Sequence, residues 1–195
     1  MTDVTETRRA ETHELGPGSG RILVKTGREG LAARVGHDLT MEITQWAARV
    51  TVPAGGGIAA AMVTAELDLG SLTVREGTGG AKQLTDRDRG DIQATARKIL
   101  GADPKATFTS SRLIPSSSGP SSGGTIEGTL TLHGTSRAIR LQVTSPAPDR
   151  YQGSTPIRQS EFGITPYSGF FGTLKLRDEV TVEFEITIAG IHTTT

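Results

Sequence analysis

Three features of this sequence predict an all-β protein, folded as an antiparallel up-and-down barrel of about eight strands with one α-helix. Apolar and polar residues alternate through most of the 195-residue chain, so each run has a dry face and a wet face. Residues that make turns punctuate these runs, with 25 glycines leading them. Only one stretch has helical periodicity, so a sheet with a dry face has little to cover it except itself. Closing that sheet hides the face and removes the edges. A sandwich of two sheets is the competing architecture.

The first twenty residues, MTDVTETRRAETHELGPGSG, are polar and mixed in charge, and read as a disordered tail ending near Gly20. No apolar run suits a secretory signal or a membrane span there, so a cytoplasmic location and no spanning segment are the expectations. The barrel domain is placed at 21–190 and a short C-terminal tail at 191–195.

RILVKT at 21–26 is the first strand, followed by a connection at 27–38 that glycines interrupt. In LTMEITQWAARVTVP (39–53), Leu39, Met41 and Ile43 share one phase, while Trp46, Ala48, Val50 and Val52 share the other. That flip predicts a bulge or bend near Thr44–Gln45, a device that curves a sheet. AGGG at 54–57 is a turn. Val63, Ala65, Leu67 and Leu69 then face one way.

The helix lies in LTDRDRGDIQATARKILGADP. Thr85 and Asp88 have capping-box spacing, and Ile92, Ala96 and Ile99 repeat at helical spacing. Gly101 is placed to cap the end and Pro104 prevents resumption. Gly90 weakens the start, so residues 91–100 are the firm part. Strand returns at 105–114, and PSSSGPSSGG (115–124) reads as a flexible loop.

TIEGTLTLHGTSRAIRLQVTSP (125–146) is a hairpin turning at Gly134. Ile126, Gly128, Leu130 and Leu132 occupy its dry side before the turn, and Ile139, Leu141 and Val143 after it. Residues 149–164 form a strand broken by Pro156. The last strand carries Val180, Val182, Phe184, Ile186 and Ile188 at every second position.

Composition excludes several functions. Twenty-one basic residues balance 21 acidic ones, and aromatics are few, so neither the field nor the stacking surface for nucleic acid is present. Without cysteine there is no disulfide, thiolate metal site or thiol nucleophile.

The remaining motifs are weak. Gly119–Gly123 fits G-x-S-x-G, but it lacks the strand before and the helix after that a nucleophile elbow needs. DRDRGD (86–91) starts like a calcium loop, yet Gly90 and Arg97 occupy ligand positions. His13 and His192 fall in the expected tails and His133 at a hairpin turn, and no histidine pair has metal-ligand spacing. His37 adjoins Asp38, whose carboxylate could orient the ring. Phe162, Phe170, Phe171 and Phe184 cluster late and read first as core filling.

Three blocks together resemble the YceI-like family of polyisoprenoid-binding, lipocalin-like barrels. They are DPKATFTSSRL (103–113), IEGTLTLHGTSRAIRL (126–141) and IRQSEFGI (157–164), with DEVTVEFEITI in agreement. The resemblance covers roughly 21–190. It implies a lipocalin-like barrel whose interior holds a long isoprenoid chain, with no catalysis established for the family as a class. The residues themselves lead to the expectation of no catalytic residue, no metal and no cofactor, with an isoprenoid or other long-chain lipid as the partner. A homodimer is a candidate assembly. On this reading the pocket is lined by Leu39, Met41, Ile43, Leu67, Phe108, Leu130, Leu132, Leu141, Phe162, Val182 and Phe184. Gly128 and Ala65 leave room, and His37 and Arg158 are candidate polar anchors at the mouth. Two alternatives stand beside a carrier: a stress-associated interaction module with a filled core, and an enzyme built on His37 and Asp38. A continuous apolar cavity is the feature that separates carrier from module.

Overall fold

The alternating runs become strands, and their hydrogen-bonding order explains how the sheet closes. The computed structural model describes residues 10–55, 58–102, 104–116 and 122–189, with the side chains of all but Ser122 and Phe170. The expected tail at 191–195 with His192, residues 1–9, and the core of the 119–123 motif lie outside the described residues.

The main sheet has eleven segments. They are β1 (Glu11–Leu15), β2 (Gly20–Lys25), β4 (Asp38–Ile43), β5 (Trp46–Val52), β6 (Met62–Asp68), β7 (Leu72–Thr78), β8 (Lys105–Ser116), β9 (Ser122–Leu132), β10 (Thr135–Ala147), β11 (Arg150–Arg158) and β14 (Glu179–Thr187). A small sheet joins β12 (Ser168–Gly169), β13 (Leu174–Leu176) and β3 (Arg28–Glu29). The order in the main sheet is β1-β5-β6-β8-β9-β10-β11-β14-β2-β4-β7, and every pair is antiparallel.

Three short corners, at Leu15–Gly20, Ile43–Trp46 and Asp68–Leu72, each connect a segment at one end of that order to a segment at the other. β1 with β2, β4 with β5, and β6 with β7 are therefore halves of three bent strands. Those three, with β8, β9, β10, β11 and β14, form an up-and-down ring in which β14 pairs back onto β2. Segments outnumber the eight strands expected because three strands bend.

The tail reading is corrected for residues 11–20. Glu11–Leu15 pairs with β5 from Glu11↔Val52 to Leu15↔Ala48. Backbone bonding rather than apolar content holds this polar strand, and only Leu15 on it is buried.

Ser71 organises the corners. Its buried hydroxyl donates to Asp68 O at 2.6 Å and accepts from Thr44 N at 3.1 Å and Gln45 N at 2.9 Å. Thr44 Oγ1 donates back to Ser71 O at 3.0 Å. The bend expected at Thr44–Gln45 is thus fixed by a serine 26 residues away in sequence. Ser71→Ala leaves two amides without this acceptor and should cost about 1–3 kcal/mol, read as a shift in denaturation midpoint with an unchanged slope. An unchanged midpoint would contradict this role.

Beyond the corner, β7 separates from β8, and α1 (Asp86–Leu100) covers the exposed edge. Val74 N donates to Gln93 Oε1 at 3.0 Å. Arg89 Nη1 donates to Val74 O and Arg75 O at 3.2 and 3.0 Å, and Arg97 Nε donates to Gly70 O at 3.1 Å. Helical side chains thereby replace a missing strand. The helix begins at the expected Thr85–Asp88 capping box and closes on Gly101. Hydrogen bonds from Thr85, side chain first and then backbone, lower the Asp88 pKa below its ordinary value. This stabilisation is present above the usual carboxylate range and is lost as pH falls through the lowered pKa.

β11 runs unbroken through Pro156, which pairs with Thr181. The rungs to β10 stop at Ser154, so no donor is required of Pro156 on that side. The gap left between β10 and β11 is filled by a 3-10 turn, Gln159–Phe162. Gly163, in the left-handed region at φ 72°, ends that turn. Asp178 pins it: Oδ1 accepts from Ser160 N at 2.7 Å and the carbonyl accepts from Gln159 N at 3.0 Å.

Candidate functional site

The inward faces of all eight strands leave an interior that their side chains do not fill. A cavity of about 1580 Å³ runs through the barrel, bounded by strand side chains and by Ile92, Ala96 and Ile99 of α1. The three helical residues thus face inward as their spacing predicts. This volume exceeds the roughly 300–1,000 Å³ of a typical small-molecule pocket.

Leu39, Met41, Ile43, Leu67, Phe108, Leu130, Leu132, Leu141, Val182 and Phe184 all stand on the cavity wall. Both phases of the bent strand reach it, since Trp46, Ala48 and Val50 line it as well. Phe162 does not. At 1% exposure it packs among Ile157, Ile164, Val180 and Leu132 where β10 and β11 part. Its turn, rather than a strand face, sets its direction. Gly128 also has a different role from the one expected. A Cβ there would collide with the Phe108 ring, so Gly128 accommodates an aromatic side chain.

Arg158 is excluded from the mouth. Its neighbour Ile157 points inward, so Arg158 points outward, exposed, with Nε 3.8 Å from Glu179 Oε2. His37 does border the cavity, at the helix end, where Lys82, Asp88, Asp91 and Thr95 make the wall polar. Its Nε2 donates to Lys82 O at 2.6 Å, since a carbonyl can only accept. Asp38 turns away: Oδ1 accepts from Arg28 N at 2.8 Å and Oδ2 lies 3.4 Å from Arg28 Nη1. The His37–Asp38 pair considered for catalysis is therefore not formed.

Two further residues place polar atoms on the wall. Tyr151 stands on it, and burial pushes its phenol pKa up, with the Asp149 charge adding to the effect. Trp46 is 8% exposed, and its indole Nε1 has no hydrogen-bond partner among the described residues. Sequence periodicity puts Trp46 inside, but it carries no signal that the N–H is unmatched.

The chain is thus an antiparallel barrel closed by bent strands around a long apolar cavity. The sequence profile of the YceI-like domain matches residues 24–188, and the chain belongs to that family. BcnA of Burkholderia cenocepacia is similar in structure, at 19% identity and a TM-score of 0.54, over 86% of this chain and 96% of that one. A polyisoprenoid binding domain from Saccharophagus degradans, implicated in plant cell wall breakdown, aligns at 11% identity and a TM-score of 0.46, over 90% and 98%. No curated protein matches this sequence.

Proposed function

We propose that this protein binds a long-chain isoprenoid lipid, of quinone or polyprenyl type, inside the barrel, and sequesters or carries it without catalysing a reaction. The observation that carries the reading is the apolar cavity of about 1580 Å³. A filled core would favour an interaction module instead. Each CH₂ removed from water contributes about 0.8 kcal/mol, so a long chain can be held with few polar contacts. The family resemblance supports an isoprenoid within the wider lipid class. The disengaged His37 and Asp38 favour binding over catalysis.

Ala65 tests the reading without burying a charge. It lines the cavity and sits between Ala48 and Phe108 on neighbouring strands. Ala65→Trp should leave a folded barrel, by circular dichroism, and abolish retention of a radiolabelled polyprenol or long-chain quinone in gel filtration. A folded variant that retains the lipid as wild type does would refute the cavity as the site.

Trp46 Nε1 is the candidate polar contact for a ligand oxygen, replacing Arg158 in that role. Supplying an acceptor to a buried donor is worth about 1–3 kcal/mol, or roughly five- to 150-fold in affinity. Trp46→Phe should weaken a long-chain quinone by that order and leave a headless hydrocarbon analogue unaffected. Equal losses for both ligands in calorimetric titrations would remove Trp46 from the role.

A further inference from the structure

We propose that the rim at the helix end of the barrel docks on the surface of an anionic lipid bilayer. Two neighbouring loops build this rim. Residues 30–36 and 170–173 are joined where Ala32 N donates to Thr173 O at 2.9 Å, and β3 pairs with β13 beside them. The same segments reach the cavity, since Val35, Gly36, Leu174 and Leu176 line it.

Three observations converge there. First, Leu31 is 95% exposed, Val35 is 52% exposed and Phe171 is fully exposed. A leucine and a phenylalanine left in water at one mouth form an apolar tip that none of the described residues covers. Second, Phe171 has φ 55° and ψ 35°, a left-handed conformation that a bulky residue adopts at a cost. The backbone thus spends strain where the side chain gains no burial within the protein. Third, the unpaired charge on the rim is mostly positive although the chain as a whole is neutral. Segments 27–38 and 165–178 contain Arg28, Arg34, Lys175 and Arg177 against Glu29, Asp38 and Asp178, and Asp178 is held by Ser160 N and Oγ. Arg28 is engaged by Asp38, and Arg34, Lys175 and Arg177 take part in no ion pair among the described residues. Apolar tips amid cations match a bilayer interface, where rings and alkyl groups enter the acyl boundary and cations meet anionic headgroups. No helix of the described residues is long and apolar enough to cross a membrane.

This inference goes beyond the identity of the cavity's ligand, and its test uses vesicles that contain no isoprenoid. The full chain is sedimented with vesicles of phosphatidylcholine alone and of phosphatidylcholine mixed with phosphatidylglycerol. Wild type should bind the mixed vesicles, and binding should fall as salt rises. Leu31→Ser and Phe171→Ser should each lower partitioning roughly tenfold or more, because each removes a large apolar side chain from the interface. Lys175→Glu should weaken binding to the mixed vesicles several-fold. Met62 is 58% exposed but outside the rim and the cavity wall, and Met62→Ser should change nothing. Failure of wild type to bind mixed vesicles at any salt would overturn the proposal. So would equal losses with Met62→Ser. A dimer that Leu31→Ser disrupts, without vesicle binding, would assign the rim to self-association and overturn it as well.

Discussion

Phe162→Ala is expected to destabilise the protein by about 3–5 kcal/mol, the cost of removing a buried aromatic from a site that cannot collapse. Phe162 is 1% exposed and joins Ile157, Ile164 and Val180 to the inner residues Leu130 and Leu132. It fills the gap where rungs between β10 and β11 end at Ser154. Neighbouring strands fix the walls of that gap, so the lost volume stays as a void. A chain of this length shifts its melting midpoint by about 2–4 °C per kcal/mol, so a drop of roughly 6–20 °C follows. A drop below about 2 °C would show that the turn is peripheral. Lipid retention should survive in the fraction that stays folded, because Phe162 stands outside the cavity wall.

Met41→Asp should have the opposite balance, removing lipid binding first. Met41 is buried on β4, pairs with Val24 and Val74, and faces the cavity. A carboxylate there sits between Val24 and Val74 on the cavity wall, which opposes both its ionisation and a hydrocarbon ligand beside it. Burial raises the pKa of such an aspartate in the folded state. The deficit is therefore largest above that raised pKa and shrinks as pH falls toward the ordinary carboxylate range. Lipid extracted from the purified variant should be absent, and thermal stability should recover between neutral and mildly acidic pH. Wild-type lipid content in Met41→Asp would contradict an internal site.

The parts of the fold that strict alternation governs were legible in the sequence. Leu39, Met41 and Ile43 on one phase, with Trp46 and Val50 on the other, required a bend, and the bend lies where the phases meet. The helix was legible from Thr85, Asp88 and its apolar spacing. What escaped was fixed by partners distant in sequence. Glu11–Leu15 has no inward apolar stripe, and only its ladder to β5 makes it a strand. Ser71 looks like any turn serine until Thr44 and Gln45 present their amides to it. Phe162 sits between two alternating strands, so an inward reading was natural, but the turn ending at Gly163 breaks the period. Arg158 could have been placed correctly, since Ile157 beside it already claims the inward position. His37 was found at the cavity, but its partner is the carbonyl of Lys82, 45 residues away, and not the adjacent carboxylate.

Native mass spectrometry of freshly purified protein, followed by solvent extraction, tests the central claim most directly. The account predicts a bound species that survives gentle ionisation, extracts into organic solvent and has the mass of a quinone or polyprenyl lipid, while Ala65→Trp, purified in parallel, carries none. Protein at its bare sequence mass that also fails to take up added polyprenol or long-chain quinone would contradict it.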